Sequence, residues 1–269
     1  MRIAFCSISA LDRPLAAAAE LARGAGLDAL EVTAHRPHLD PEAGGGAARE
    51  AGQAVRAAGV EPIVYGSYLG RFGRITVAHA ERDAAIAAAL GTPLMRVWAE
   101  PLTEGQTDPA PTVALMRAVA DASRGDGVTV VIERHLGSFA DTPERIEALL
   151  DAIDRPNVAL NYQVLDALPP GEATAQPADA ARLVGRARYF HLKNYLPSAD
   201  GRAPLQLGAS LERGVLDYRA ILGAAVRAGY RGPLTIEFLS GDAHSSEEKL
   251  ASDFAFVRAV LAELGVEPG

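Results

Sequence analysis

Three strand-like runs end in residues that can do chemistry. VTVVIE closes on Glu133, YFHLK runs through His191 to Lys193, and LTIEF carries Glu237. Each side chain sits among apolar neighbours, where a solvated surface charge is not expected. Burying a carboxylate costs several kcal/mol unless it is paired, hydrogen-bonded or bound to a metal. Two glutamates and a histidine on one rim therefore make a candidate cation site. A divalent ion accepts carboxylate oxygen, imidazole nitrogen and amide oxygen. The same two carboxylates can move protons. One can take a proton from a molecule held between them, and the other can return it from the opposite side. A metal, or a fixed cation such as Lys193 or Arg134, would stabilise an oxygen that becomes negative.

Alternation along a strand puts Lys193 on the same side as His191. It likewise pairs Arg96 with Trp98 in LMRVW. Trp98 either stacks on the apolar face of a bound molecule or fills the core. His135, two residues beyond Glu133, is placed to contact substrate or shuttle a proton. Glu31, in ALEVT, adds a polar wall. His35 and His38 either line the mouth or are ordinary loop histidines, and Tyr65 and Tyr68 stand in the same position. Cys6, the only cysteine, reads as a small buried filler.

The elements that must position these groups alternate. Runs rich in β-branched residues begin near Arg2, Ala29, Pro62, Leu94, Val128, Val158, Tyr189 and Leu234. Between them lie Ala/Leu/Arg-rich segments with helical spacing: 15–23, 47–58, 77–90, 111–123, 142–153, 178–186, 218–228 and 246–264. Gly24, Gly59, Gly91 and Gly229 read as helix stops, and Asp141-Thr142-Pro143-Glu144 as a capped start. Eight strands alternating with eight helices predict an α/β protein of the (β/α)8 TIM-barrel type, with its site at the C-terminal ends of the strands. A doubly wound sheet would carry a Gly-rich turn after its first strand, and Cys6-Ser7-Ile8-Ser9-Ala10 has no glycine. Residues 1–269 are expected to form a single domain. Ala43-Gly44-Gly45-Gly46 reads as a loop, and 196–215 as the elaborated connection over the site.

Composition narrows the partners. Hydrophobic residues make up 49% and charged residues 22% of 269, enough for a large core. The net charge of −8 argues against nucleic acid or an anionic membrane as the main partner. The N-terminus has one basic residue and a short apolar run broken by Ser7, unlike a signal peptide, so the expected location is the cytoplasm.

Nearly the whole chain resembles the sugar phosphate isomerase/epimerase family with the xylose isomerase-like TIM-barrel fold. The stretches that carry the resemblance are GLDALEV (26–32), ALGTPLMRVW (89–98), ERHLG (133–137), FHLK (190–193) and, most specifically, GYRGPLTIE (229–237). The resemblance implies a divalent metal (manganese, magnesium, cobalt or zinc) held by Glu133, Gln163, His191 and Glu237. It also implies acid–base roles for the two glutamates, with Lys193 and His135 assisting and Arg96, Trp98, Arg134, Asp166 and Glu31 around the substrate. Two departures stand out. Gln163 replaces the family's aspartate, which removes a charge and weakens metal binding or abolishes it, and Asn194 replaces the aspartate after His-x-Lys. Asp166 either compensates or caps the next turn.

The implied activity is isomerisation or epimerisation of a keto sugar or related polyol ketone through an enediolate. A lyase on the same scaffold is the alternative: an inosose- or dehydroshikimate-type dehydratase, or an enzyme of carbon–carbon or carbon–glycosyl cleavage. A third reading is a catalytically silent sugar-binding protein. The apurinic-site endonucleases that share the fold need many more metal ligands than six histidines supply, so DNA repair is rejected. The expected partner is a small carbohydrate-like molecule, within a homo-oligomer as among relatives.

Overall fold

A computed structural model describes residues 1–165, 172–196, 206–238 and 245–267. Asp166 lies outside the described residues, as do residues 197–205 of the elaborated connection. The strands are β1 (Ile3–Cys6), β2 (Ala29–Thr33), β3 (Glu61–Gly66), β4 (Leu94–Trp98), β5 (Thr129–Glu133), β6 (Val158–Tyr162), β7 (Ala187–Leu192), β8 (Asn194–Leu196), β9 (Gln206–Ala209) and β10 (Leu234–Ile236). The helices are α1 (Leu15–Gly24), α2 (Gly44–Ala57), α3 (Val77–Leu90), α4 (Ala110–Ser123), α5 (Pro143–Ile153), α6 (Gln176–Leu183), α7 (Tyr218–Arg227) and α8 (Ser246–Glu263). Eight parallel strands close in the order β1-β10-β7-β6-β5-β4-β3-β2. The remaining two, β8 and β9, pair antiparallel as a hairpin on the connection after β7.

Local chemistry explains most boundaries. Thr142 caps α5 by accepting from the Arg145 amide, with Pro143 as the first helical residue. The Gly44–Gly46 loop reading is corrected: these glycines form the first turn of α2. Among the described residues, no helix is long and apolar enough to cross a membrane.

Alternation divides the apolar residues into two cores. Side chains on the outer face of the strands pack under the helices in one large cluster. The inner face holds a small plug of Ala4, Ala29, Val64, Val131, Ala159 and Tyr189. Above that plug the same strands turn polar. The step from Ala29 to Glu31, from Val131 to Glu133, from Ala159 to Asn161 and from Tyr189 to His191 is two residues each time, so each polar group stands one layer above an apolar one.

Candidate active site

His191 is the hub of the polar layer. Its Nε2 lies 2.6 Å from Glu31 Oε2, and Tyr189 donates to the same oxygen at 2.6 Å. The other ring nitrogen, Nδ1, lies 2.9 Å from Glu237 Oε2, 3.3 Å from Gln163 Oε1 and 4.0 Å from Glu133 Oε2. Gln163 donates from Nε2 to Glu133 Oε1 and to the Arg134 carbonyl, both at 2.7 Å. Arg96 lies between two acids. Its Nε is 3.1 Å from Glu133 Oε2, and its Nη2 donates to Glu31 Oε1 at 3.3 Å. A Cβ at Gly66 would stand 2.4 Å from Glu31 Oε1 and 3.0 Å from Arg96 Nη2, so β3 must offer glycine where this pair crosses it. Lys193 is 4% exposed, and its charge acts on both Glu237 and Glu133.

Three carboxylates thus meet Arg96, Lys193 and an imidazole, all of them largely buried. Burial favours neutral Glu31, but His191, Arg96 and the Tyr189 hydroxyl outweigh it and hold that carboxyl down to about 2. Burial also opposes charge on His191, yet Glu31 and Glu237 push it up to about 10. The two glutamates facing Nδ1 diverge. Burial dominates at Glu133 and raises its pKa against Arg96 and His191. At Glu237, Lys193 and His191 overcome burial and lower it. Opposite shifts in a facing pair are the condition for one acid and one base at the same pH.

The Glu31–His191 pair fixes a pH dependence for the metal-free protein. Glu31 is stabilising above its ordinary value of 4.5, and that contribution is lost as pH falls toward 2. His191 is stabilising below 6.5, and its contribution is lost as pH rises toward 10. Thermal melts of chelator-treated protein should therefore show stability falling between pH 6.5 and 10. Glu31→Gln should flatten that alkaline slope. An unchanged slope in the variant would assign it to other groups.

The donor set suits a divalent ion. Glu133, Gln163 and Glu237 offer oxygens around His191 Nδ1, and Glu31 takes the opposite ring nitrogen, the usual arrangement behind a metal-binding histidine. Glu237 Oε2 is buried without a hydrogen-bond donor, since its contact with Nδ1 lacks hydrogen-bond geometry. A second grouping, Cys6 with Glu31 and His191, lies within 4.8 Å. It is a poor site, because Glu31 is already bonded on both oxygens and burial holds the Cys6 thiol well above its ordinary pKa.

Most of the expected residues meet here: Glu133, Gln163, His191, Glu237, Lys193, Arg96 and Glu31. Glu31, expected as a polar wall, is the partner of three groups inside the barrel. Arg134 is elsewhere. It follows Glu133 and so points outward, where it donates to the Asp141 carbonyl, Tyr162, Gln176 and Asp179. His135 is also outside the cluster, edge-on to Trp98 with ring centroids 4.8 Å apart. Trp98 lies parallel to Tyr68, and the Arg96 guanidinium stands 4.9 Å from the Trp98 ring. Asn194 fastens the following connection through the Leu211 and Leu216 carbonyls. His38 is buried and bonded to Ser7 and to the Ala10 and Arg13 carbonyls. The sequence reading missed Tyr189, although it alternates in step with His191 and Lys193.

The model of the xylose isomerase-like TIM barrel matches residues 19–260. No curated relative matches the sequence. Among solved structures, a D-allulose 3-epimerase from Methylomonas sp. superposes with a TM-score of 0.75 at 18% identity, covering 97% of this chain and 98% of that one. A xylose isomerase-like TIM barrel protein from Mycobacterium smegmatis in complex with magnesium gives 0.73 at 20%, covering 97% of each. A probable 3-DHS dehydratase involved in petrobactin synthesis from Bacillus anthracis gives 0.72 at 19%, covering 96% and 98%. At these identities the likeness shows the fold alone. With the family model spanning most of the sequence, the chain belongs to the xylose isomerase-like TIM barrel family.

Proposed function

We propose that this protein is a cytoplasmic isomerase or epimerase of a keto sugar or related polyol ketone, acting as one domain over residues 1–269. The observation that carries the reading is the convergence of Glu133 and Glu237 on His191, with their acidities shifted in opposite directions. Glu237 is the base: Lys193 and His191 hold it ionised against burial. Glu133 is the acid, its carboxyl kept more basic by burial. Glu237 takes the proton from carbon next to the carbonyl, and the electron pair moves onto the carbonyl oxygen. Glu133 returns a proton from the other side, so the substrate is rearranged with no net change in atoms or charge. Lys193 and Arg96 place fixed positive charge beside the developing negative oxygen.

Glu133, Gln163, His191 and Glu237 would hold the divalent ion, which supplies Lewis-acid polarisation of the carbonyl when bound. In the metal-free protein both ring nitrogens of His191 carry hydrogen near neutral pH, so binding at Nδ1 must release a proton. Affinity should therefore rise with pH. Gln163→Asp adds a charged oxygen donor and should tighten manganese binding roughly tenfold or more in calorimetric titration of chelator-stripped protein. Equal affinity in the two proteins would remove Gln163 from the ligand set.

Solvent exchange tests the activity. In deuterium oxide with D-allulose, D-fructose, D-tagatose or an inosose, mass spectrometry should find one deuterium entering carbon beside the carbonyl of at least one compound. Absence of exchange across the panel would overturn the isomerase reading. Exchange accompanied by loss of water, with a dehydrated product, would instead favour the lyase alternative, a chemistry named for one of the fold's neighbours.

A further inference from the structure

The wall beside the inner cluster continues outward as alternating cations and rings. Arg96, in contact with Glu133, stands over Trp98 at 4.9 Å and Tyr68 at 5.5 Å. Arg71 stands over the same Trp98 at 4.2 Å and over Phe72 at 4.7 Å. Phe72 also meets Tyr68, with ring centroids 5.4 Å apart. Arg71 is braced by Glu100, its Nε lying 3.2 Å from Oε1. The loop that carries Phe72 is pinned. The Trp98 amide donates to the Leu69 carbonyl at 2.8 Å, and Gly70 and Arg74 close the turn at 2.8 Å.

Phe72 ends this ladder and is 74% exposed. Its φ is +51°, a left-handed conformation unfavourable for a bulky L-residue. Burial does not explain the ring, and the backbone would be better served by glycine. A strained, exposed aromatic beside a candidate site points to a ligand. The described exposed large apolar side chains, Phe72, Val77, Leu136 and Leu196, follow β3, β5 and β7 at the C-terminal side of the barrel. They stand at the end of the barrel where this fold takes its small-molecule substrates.

We propose that Phe72, with Arg71, forms an outer subsite for a flat conjugated ring attached to the sugar, so that the substrate is an aryl-substituted saccharide rather than a free monosaccharide. This rests on reading the inner cluster as a sugar site. The sugar stands against Arg96 and Trp98, and its aryl group continues along the wall onto Phe72. Stacked rings with an adjacent guanidinium prefer an electron-rich partner.

The probes are phenyl β-D-glucopyranoside, methyl β-D-glucopyranoside and phenol, titrated by NMR into wild type and Phe72→Gly. Wild type should bind the phenyl glycoside about tenfold more tightly than the methyl glycoside. Phe72→Gly should erase that preference, leave methyl glycoside binding unchanged and keep or raise the melting temperature, because glycine relieves the left-handed backbone. Equal binding of both glycosides by wild type, or a preference that survives in Phe72→Gly, overturns the outer subsite and leaves the sugar reading standing. Phenol binding without either glycoside, or no binding at all, overturns this proposal, while the keto-sugar reading stands or falls separately on the solvent-exchange experiment. A dimer that dissociates on Phe72→Gly, with no difference between the glycosides, assigns the ring to a contact between copies and overturns the subsite.

Discussion

In Glu237→Gln, the entry of solvent deuterium into a bound ketose is expected to fall by roughly 10²–10⁴-fold, the usual share of a positioned base. The amide cannot accept the proton, yet it keeps an oxygen and the size of the side chain, so the fold should survive. Glu133→Gln should behave differently. Its partner Glu237 can still take a proton, exchange it with solvent and return it to the same face. Exchange should therefore persist in Glu133→Gln while conversion to the epimer or isomer stops. The split between the two variants separates roles that a single activity assay would merge. If both lost exchange equally, Glu133 would be needed for deprotonation as well. If exchange survived in Glu237→Gln and failed in Glu133→Gln, the acid and base would be reversed.

How much of this was legible in the sequence depends on distance along the chain. The barrel was, because β-branched runs and amphipathic helices are local patterns that repeat eight times. The helix over Val77–Leu90 lies where its spacing predicts. The Gly44–Gly46 turn was not, since glycine's low propensity reads as loop while packing against α3 holds the helix: a Cβ at Gly45 would touch Ala89 at 3.5 Å. Within the site, Glu133, His191 and Glu237 stood out as polar groups in apolar strand runs and Gln163 came through the resemblance, while their convergence needs β5, β6, β7 and β10 side by side. Arg134 was assigned to the substrate against the alternation that pairs His191 with Lys193 and Arg96 with Trp98. Its neighbour points in, so it points out. Glu31 was placed on the right strand, but its partners, Arg96 and His191, lie 65 and 160 residues away. No periodic pattern marks the Arg71-Phe72 turn, because its meaning lies in a backbone angle and in Trp98 at the end of the neighbouring strand.

Arg96→Met should be the most damaging single change to the fold among these residues. Methionine keeps an unbranched apolar stem and removes the charged head, leaving Glu31 and Glu133 without the guanidinium between them. Burial opposes the charge on Arg96, and the two glutamates outweigh it, so the network holds the arginine in its cationic form. Removing one partner of a buried ionic group leaves the others uncompensated, which costs roughly 3–5 kcal/mol. For a domain of this size that corresponds to a fall in melting temperature on the order of 10 °C. The cost should be partly recovered in Arg96→Met/Glu133→Gln, because the second change removes one of the orphaned charges, and the two sites share a contact and will not add. Differential scanning calorimetry and denaturant titration of the two single variants and the double variant measure that coupling. A double variant no more stable than Arg96→Met would show that Glu31 alone bears the loss. An Arg96→Met melt within 2–3 °C of wild type, on the scale of about 1 kcal/mol, would mean that the Glu31–His191 pair and Lys193 balance the carboxylates without Arg96. The arginine would then be free to be read through its effect on turnover alone.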